Sequence, residues 1–162
     1  MNFMCPKHRQ QFAQLPTPEK LDCWLVWMKK AVMAQSQQDW HRVVAHAGCA
    51  FDLVSMGHAE AQRSMHMEIT LSAIFLCNTF RQLDDGGSAM FIVDVAYEQL
   101  EATETDATDQ GYQCSVADCI STLNDWPRHQ QFFMDHLNWP LQKGNSDNPL
   151  KHHRRAEIHT LH

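Results

Sequence analysis

Glycine and proline are scarce, six of each in 162 residues. That is too few for the many tight turns of an all-β protein. No apolar run approaches the roughly 18–20 residues of a membrane span. Met1–His8 lacks the apolar core of a signal peptide. The expectation is therefore a cytoplasmic protein with reduced cysteines and no membrane partner. None of the six cysteines forms a Cys-x-x-Cys, and Cys5-Pro6-Lys7-His8 is the lone Cys-x-x-His. A structural zinc site needs a second such pair, so no metal site is expected.

The catalytic signatures are missing too. There is no Gly-x-Ser-x-Gly, no His-Glu-x-x-His and no Glu-x-x-His. These absences disfavour the hydrolase elbow, the zincin helix and the di-iron carboxylate bundle. Neither glycine-rich phosphate cradle is present. Asp84-Asp85-Gly86-Gly87 lacks the spaced oxygens and closing Glu of a calcium loop, and reads as a turn. The expectation is a non-enzyme with no catalytic residues and no cofactor. The alternative kept beside it is a helical-bundle enzyme or metal sensor that uses some of the eleven histidines and the cysteines. His58 and His66, two helical turns apart, read as surface histidines.

Positive charge is absent over a long stretch. No Lys or Arg lies between Arg81 and Arg128, where ten acids run from Asp84 to Asp125. The net charge of −6 gives no whole-chain attraction for nucleic acid. The acidic band suits either a basic partner or a solvated helix face. Residues 143–162 read as a flexible basic and His-rich tail beyond a single helical domain spanning 1–142. Its four cations exceed Asp147 and Glu157 by only two, too little for strong phosphate binding.

Helical spacing is what the sequence does contain. Thr17-Pro18-Glu19 reads as a helix start with Thr17 as its cap. Leu21, Leu25, Met28 and Val32 make one stripe over 19–34, with Trp24 and Trp27 beside it. A second helix runs from Asp39 to about Met56 and stops at Gly57. A third spans about 65–83, with Ile69, Ala73, Leu76, Cys77 and Phe80 inward. Ser88 reads as the cap of a fourth, carrying Ala89, Ile92, Val93, Ala96 and Leu100. Residues 103–111 read as an acidic loop. Val116, Cys119, Ile120 and Leu123 mark a fifth helix, and Phe132, Phe133, His136 and Leu137 a sixth. Residues 1–16 read as an extended lead-in with a short helical piece between Pro6 and Pro16. The fold class is all-α: five to six helices in antiparallel hairpins, either a repeat array or a helical bundle. Most of the five tryptophans read as core, and the rings near the two ends of the chain form one cluster if those ends meet.

One order of residues occurs twice. Trp27, Ala31 and Ala34 precede a polar turn, then Trp40, Val43, Ala47 and Ala50 follow. Ala73, Leu76, Cys77 and Phe80 precede a second turn, then Ala89, Val93 and Ala96 follow. Over residues 24–103 this resembles the tetratricopeptide repeat, which stacks ~34-residue helix pairs with small residues where they cross. The two passes here lie about 46 residues apart, and Lys30 stands where that family usually has Leu. The resemblance implies an adaptor or chaperone-like module that binds a partner peptide or helix in a groove lined by the first helix of each pair. It places Lys29, Lys30, Asn78 and Arg81 on that groove, where they would hold a peptide carboxylate. A structural homo-oligomer is a further alternative.

Overall fold

The computed structural model describes residues 2–56, 65–104 and 114–139. They carry seven helices and no strand: α1 (Pro6–Ala13), α2 (Thr17–Ser36), α3 (Trp40–Ser55), α4 (His66–Gln82), α5 (Gly86–Glu104), α6 (Val116–Leu123) and α7 (Trp126–Leu137). The count exceeds the expected five to six because the piece between Pro6 and Pro16 is a helix in its own right. The tail at 143–162, the stop at Gly57, His58 and most of the acidic loop lie outside the described residues.

Two hairpins form the first half. The start of α2 meets the end of α3, where Lys20 Nζ donates to the Met56 carbonyl at 3.0 Å, so the pair is antiparallel. Both hairpins turn the same way. Asp39 N–H reaches back to the Ala34 carbonyl at 3.0 Å and Gln38 N–H to Gln35 at 3.0 Å. Forty-six residues later, Asp85 N–H reaches Phe80 at 2.9 Å and Asp84 N–H reaches Arg81 at 3.1 Å. Each is a Schellman turn, which satisfies the last free carbonyls of a helix. Gln38 and Asp84 both take the left-handed conformation with φ 58 that the turn requires. Each turn then ends in an aspartate that caps the next helix. Asp39 accepts from Arg42 N–H and Asp85 from Ser88 N–H.

Two boundaries and one buried stripe differ from the sequence expectation. Pro16 occupies the cap position of α2 and Thr17 is already helical, making no side-chain cap. Proline at the second helical position still fits, because that amide would have no partner. Ser88 is not the cap of α5, which begins at Gly86. Asp85 takes that role and also holds the Ser88 hydroxyl at 2.7 Å. The expected stripe of α2 is rotated: Trp24, Met28, Ala31 and Ala34 are buried, while Leu21, Leu25 and Val32 are half-buried. Alanines allow the closest approach to α3, so they set the contact face.

The core centres on α4. It packs against α3, α5, α6 and α7, and thirteen of its seventeen residues are buried. A helix covered on nearly every side carries its polar groups only if they are satisfied. Thr70, Ser72 and Thr79 donate to carbonyls one turn back, each at 2.8 Å. Ser72 Oγ also accepts the Trp24 indole N–H at 2.8 Å, which ties α2 to α4. The short helices α6 and α7 close the side that the hairpins leave open. Ser115 and Asp118 form a reciprocal capping box at the start of α6.

The N-terminal lead-in is fastened to α3. Asp52, buried there, accepts the backbone N–H of Phe3 at 2.8 Å and of Met4 at 2.7 Å, with Arg9 at 3.4 Å. Phe3 lies over Gly48, where a Cβ would fall on the aromatic ring and 2.7 Å from Phe3 Cβ. Glycine at 48 is a requirement of this close approach.

Candidate functional site

Among the described residues four large apolar side chains are exposed: Val26, Met33, Met90 and Phe91. Two belong to α2 and two to α5. Scattered apolar exposure is ordinary, but adjoining residues on one helix face form a surface.

On α2, Val26 and Met33 are two turns apart, with Lys29 and Lys30 between them on the same face. All four are exposed. Lys30 Nζ stands 5.2 Å from the centre of the Trp27 ring, a cation–π contact that holds the ammonium near the surface. Trp27 also meets the His46 ring at 5.7 Å. Burial pushes the His46 pKa down, and Lys30 and Arg42 push it further, with Asp39 opposing. His46 is thereby favoured as neutral, and the positive charge of this region comes from Lys29, Lys30 and Arg42. Glu19 and Asp22 share the α2 face toward its N-terminus, so its C-terminal half is the cationic part.

On α5, Met90, Phe91, Asp94, Glu98 and Glu101 are exposed. Their spacing of three and four residues gathers them on one side, away from Ala89, Ile92, Val93, Ala96 and Leu100, which are buried. This face has three carboxylates and no cation.

Of the residues that the repeat resemblance singles out, Lys29 and Lys30 lie on the α2 face. Asn78 is half-buried on α4. Arg81 is exposed at the end of α4, its guanidinium 4.2 Å from the centre of the Trp126 ring on α7. Among the described contacts none joins Lys29 or Lys30 to Asn78 or Arg81. The tryptophans divide into two groups. Trp24, Trp27 and Trp40 serve the first hairpin, and of the five only Trp24 is buried, the others packing half-buried against the core. Trp126 packs on His129 and Trp139 on Phe133 at the other end. His129 is buried with Nε2 at 3.3 Å from the Leu123 carbonyl, and burial pushes its pKa down.

The thiols and imidazoles offer little chemistry. Cys5 Sγ and His8 Nδ1 are 3.2 Å apart at the exposed start of α1. The other described partner of His8 is Phe12, so no polar group is seen orienting that ring for base catalysis. Cys114 and Cys119 are buried with sulfurs 3.5 Å apart. Burial raises both pKa values, that of Cys119 to about 12. Burial likewise raises Cys77 to about 12, against the opposing pull of Arg81. Such thiols stay protonated and are poor nucleophiles. His66, expected at the surface, is buried on α4 with Nε2 2.8 Å from the Cys114 carbonyl. The reason lies far along the chain: Cys114, just before α6, covers that turn of α4. Among the described residues no three His, Cys, Asp or Glu side chains converge as a metal cage would, and no helix is long and apolar enough to cross a membrane.

The α5 face was hidden in the acidic band, which sequence reasoning read by charge alone. The signal that finds both faces is an apolar residue off the buried stripe, set three or four positions from like charges. No protein-family model, curated protein or solved structure matches this chain.

Proposed function

We propose that this chain is a non-enzymatic, cytoplasmic protein-interaction module of the tetratricopeptide-like hairpin type. Its α2 face docks an acidic, partly apolar segment of a partner. The observation that carries this is the α2 surface itself, with Val26 and Met33 exposed on either side of Lys29 and Lys30. Apolar side chains supply contact area, and two central cations favour an acidic partner and disfavour a basic one. Support for the hairpin array comes from the turn repeated at 37–39 and 83–85, and from Ala31, Ala47, Ala73 and Ala96, all fully buried. Asn78 and Arg81 enter this reading only through the repeat resemblance, and the α2 face stands without them. Six free cysteines are in keeping with a reducing compartment.

Fluorescence anisotropy tests this with a labelled synthetic peptide carrying Glu and Leu at helical spacing, beside a control with Lys for Glu. The acidic peptide should bind in preference, and more weakly as salt rises. Lys29→Glu combined with Lys30→Glu should weaken it about tenfold or more, since two attractive charges become repulsive. Both lysines are exposed, so the variant should keep its helical circular dichroism. Equal binding by the variant, or no preference for the acidic peptide, would refute the assignment of the α2 face.

A further inference from the structure

We infer that the partner of the α2 face is the α5 face of a second copy of this chain, in a head-to-tail contact. This rests on the reading of α2 given above and adds the identity of its occupant.

The two faces match in three ways. Each carries two of the four exposed large apolar side chains among the described residues: Val26 and Met33 on α2, Met90 and Phe91 on α5. The charges in the C-terminal half of the α2 face are opposite to those of α5, Lys29 and Lys30 against Asp94, Glu98 and Glu101, while Glu19 and Asp22 lie toward the α2 N-terminus. The spacing from the first apolar residue to the charges also agrees. Lys29 and Lys30 follow Val26 by three and four residues, and Asp94 follows Met90 and Phe91 by four and three. With a rise of about 1.5 Å per residue, Val26 comes level with Met90 and Phe91, and Lys29 and Lys30 with Asp94, when the two helices lie side by side in parallel; Met33 then falls level with Tyr97 and Glu98.

The fold explains why both faces are open. α2 packs on α3 and reaches α4 through Trp24, and α5 packs on α4 and α6, so each helix has a side that the described residues leave uncovered. Stacked helix pairs need polar open faces to remain separate, and here the open sides of α2 and α5 carry large apolar groups instead. Because the two faces differ, the contact is heterologous. Such contacts extend into open chains unless the rotation closes a ring. The contact is partly ionic and on the surface, so it should weaken as salt shortens the screening length from about 10 Å at 0.1 M to about 3 Å at 1 M.

Sedimentation velocity of the full chain decides it. At low salt the weight-average mass should rise with concentration above the monomer's 18.7 kDa and fall back as salt is added. Lys29→Glu with Lys30→Glu should remain monomeric, because both faces are then acidic. Asp94→Lys with Glu98→Lys should remain monomeric, because both are then basic. An equimolar mixture of the two variants should recover the association of the parent, and so should one chain carrying all four changes. All four positions are exposed, so folding is not at stake, and circular dichroism checks it. A parent that stays monomeric throughout, while the acidic peptide still binds α2, overturns self-association and leaves the α2 face intact. A Lys29/Lys30 variant that associates as the parent does overturns both. A mixture that stays monomeric overturns the pairing of these two faces.

Discussion

Phe75→Ala should be the most damaging truncation in this chain. Phe75 is 1% exposed at the middle of α4, and its ring stacks on Phe133 of α7 with centroids 5.7 Å apart. Emptying such a site costs the transfer free energy of the ring plus that of the cavity left behind. For a buried Phe this is about 3–5 kcal/mol. At roughly 2–4 °C per kcal/mol for a chain of this size, the thermal midpoint should fall by about 6–20 °C. Phe91→Ala is the control. That ring is exposed on α5, and its removal should change stability by about 0.5 kcal/mol or less. Thermal melts followed at the helical circular dichroism band read both. Equal midpoints for the two variants would mean that α4 is not the covered axis of the fold.

Ala47→Leu and Ala96→Leu should produce the next largest effects. Both alanines are fully buried, Ala47 on α3 and Ala96 on α5, the second helix of each hairpin. A leucine needs space that the partner helix already occupies. Overpacking of this kind costs about 1–3 kcal/mol, which lowers the midpoint by roughly 2–12 °C. Leucine is nearly as good a helix former as alanine, so propensity cannot account for such a loss. Midpoints equal to the parent's would show that the helices do not cross at these residues. Because Ala47 and Ala96 belong to different hairpins, the double variant should lose close to the sum of the two.

Much of the fold was legible because helical spacing reports burial directly. Ile69, Ala73, Leu76, Cys77 and Phe80 were expected inward, as were Ala89, Ile92, Val93, Ala96 and Leu100, and all are buried. What escaped is set by tertiary neighbours. Lys20 stands in the first turn of α2, where its sequence position carries no sign of burial, yet it is 1% exposed with its ammonium on the Met56 carbonyl, and burial pushes its pKa down. Asp52 looked like one more acid, yet it fastens the N-terminal lead-in through two backbone amides. His66 is buried because a segment about 50 residues later covers it. Sequence spacing carries no record of such distant partners. The turn aspartates are a middle case. Ser88 reads as the cap of α5 from sequence, and only the backbone geometry assigns that role to Asp85.

The proposed interaction surface was half legible. Lys29 and Lys30 were singled out by the repeat resemblance, as groove residues beside Asn78 and Arg81. Their apolar companions were missed because Val26 and Met33 looked like ordinary helix positions until the buried stripe was known to run through Trp24, Met28 and Ala31. Met90 and Phe91 were missed for the same reason beside Ile92 and Val93.

The outward placement of α2 and α5, and their meeting between copies, is tested most directly by methionine oxidation. Dilute hydrogen peroxide converts an accessible thioether to its sulfoxide, and mass spectrometry of proteolytic peptides assigns the rate at each residue. Met33 is 62% exposed, Met90 53% and Met28 0%. In dilute protein Met33 and Met90 should oxidise fast and Met28 slowly. As the protein is concentrated at low salt, Met33 and Met90 should slow together, and neither should slow when Lys29 and Lys30 are both replaced by Glu. Oxidation of Met28 as fast as Met33 would contradict the placement of α2. Rates at Met33 and Met90 that do not change with concentration would contradict the meeting of the two faces.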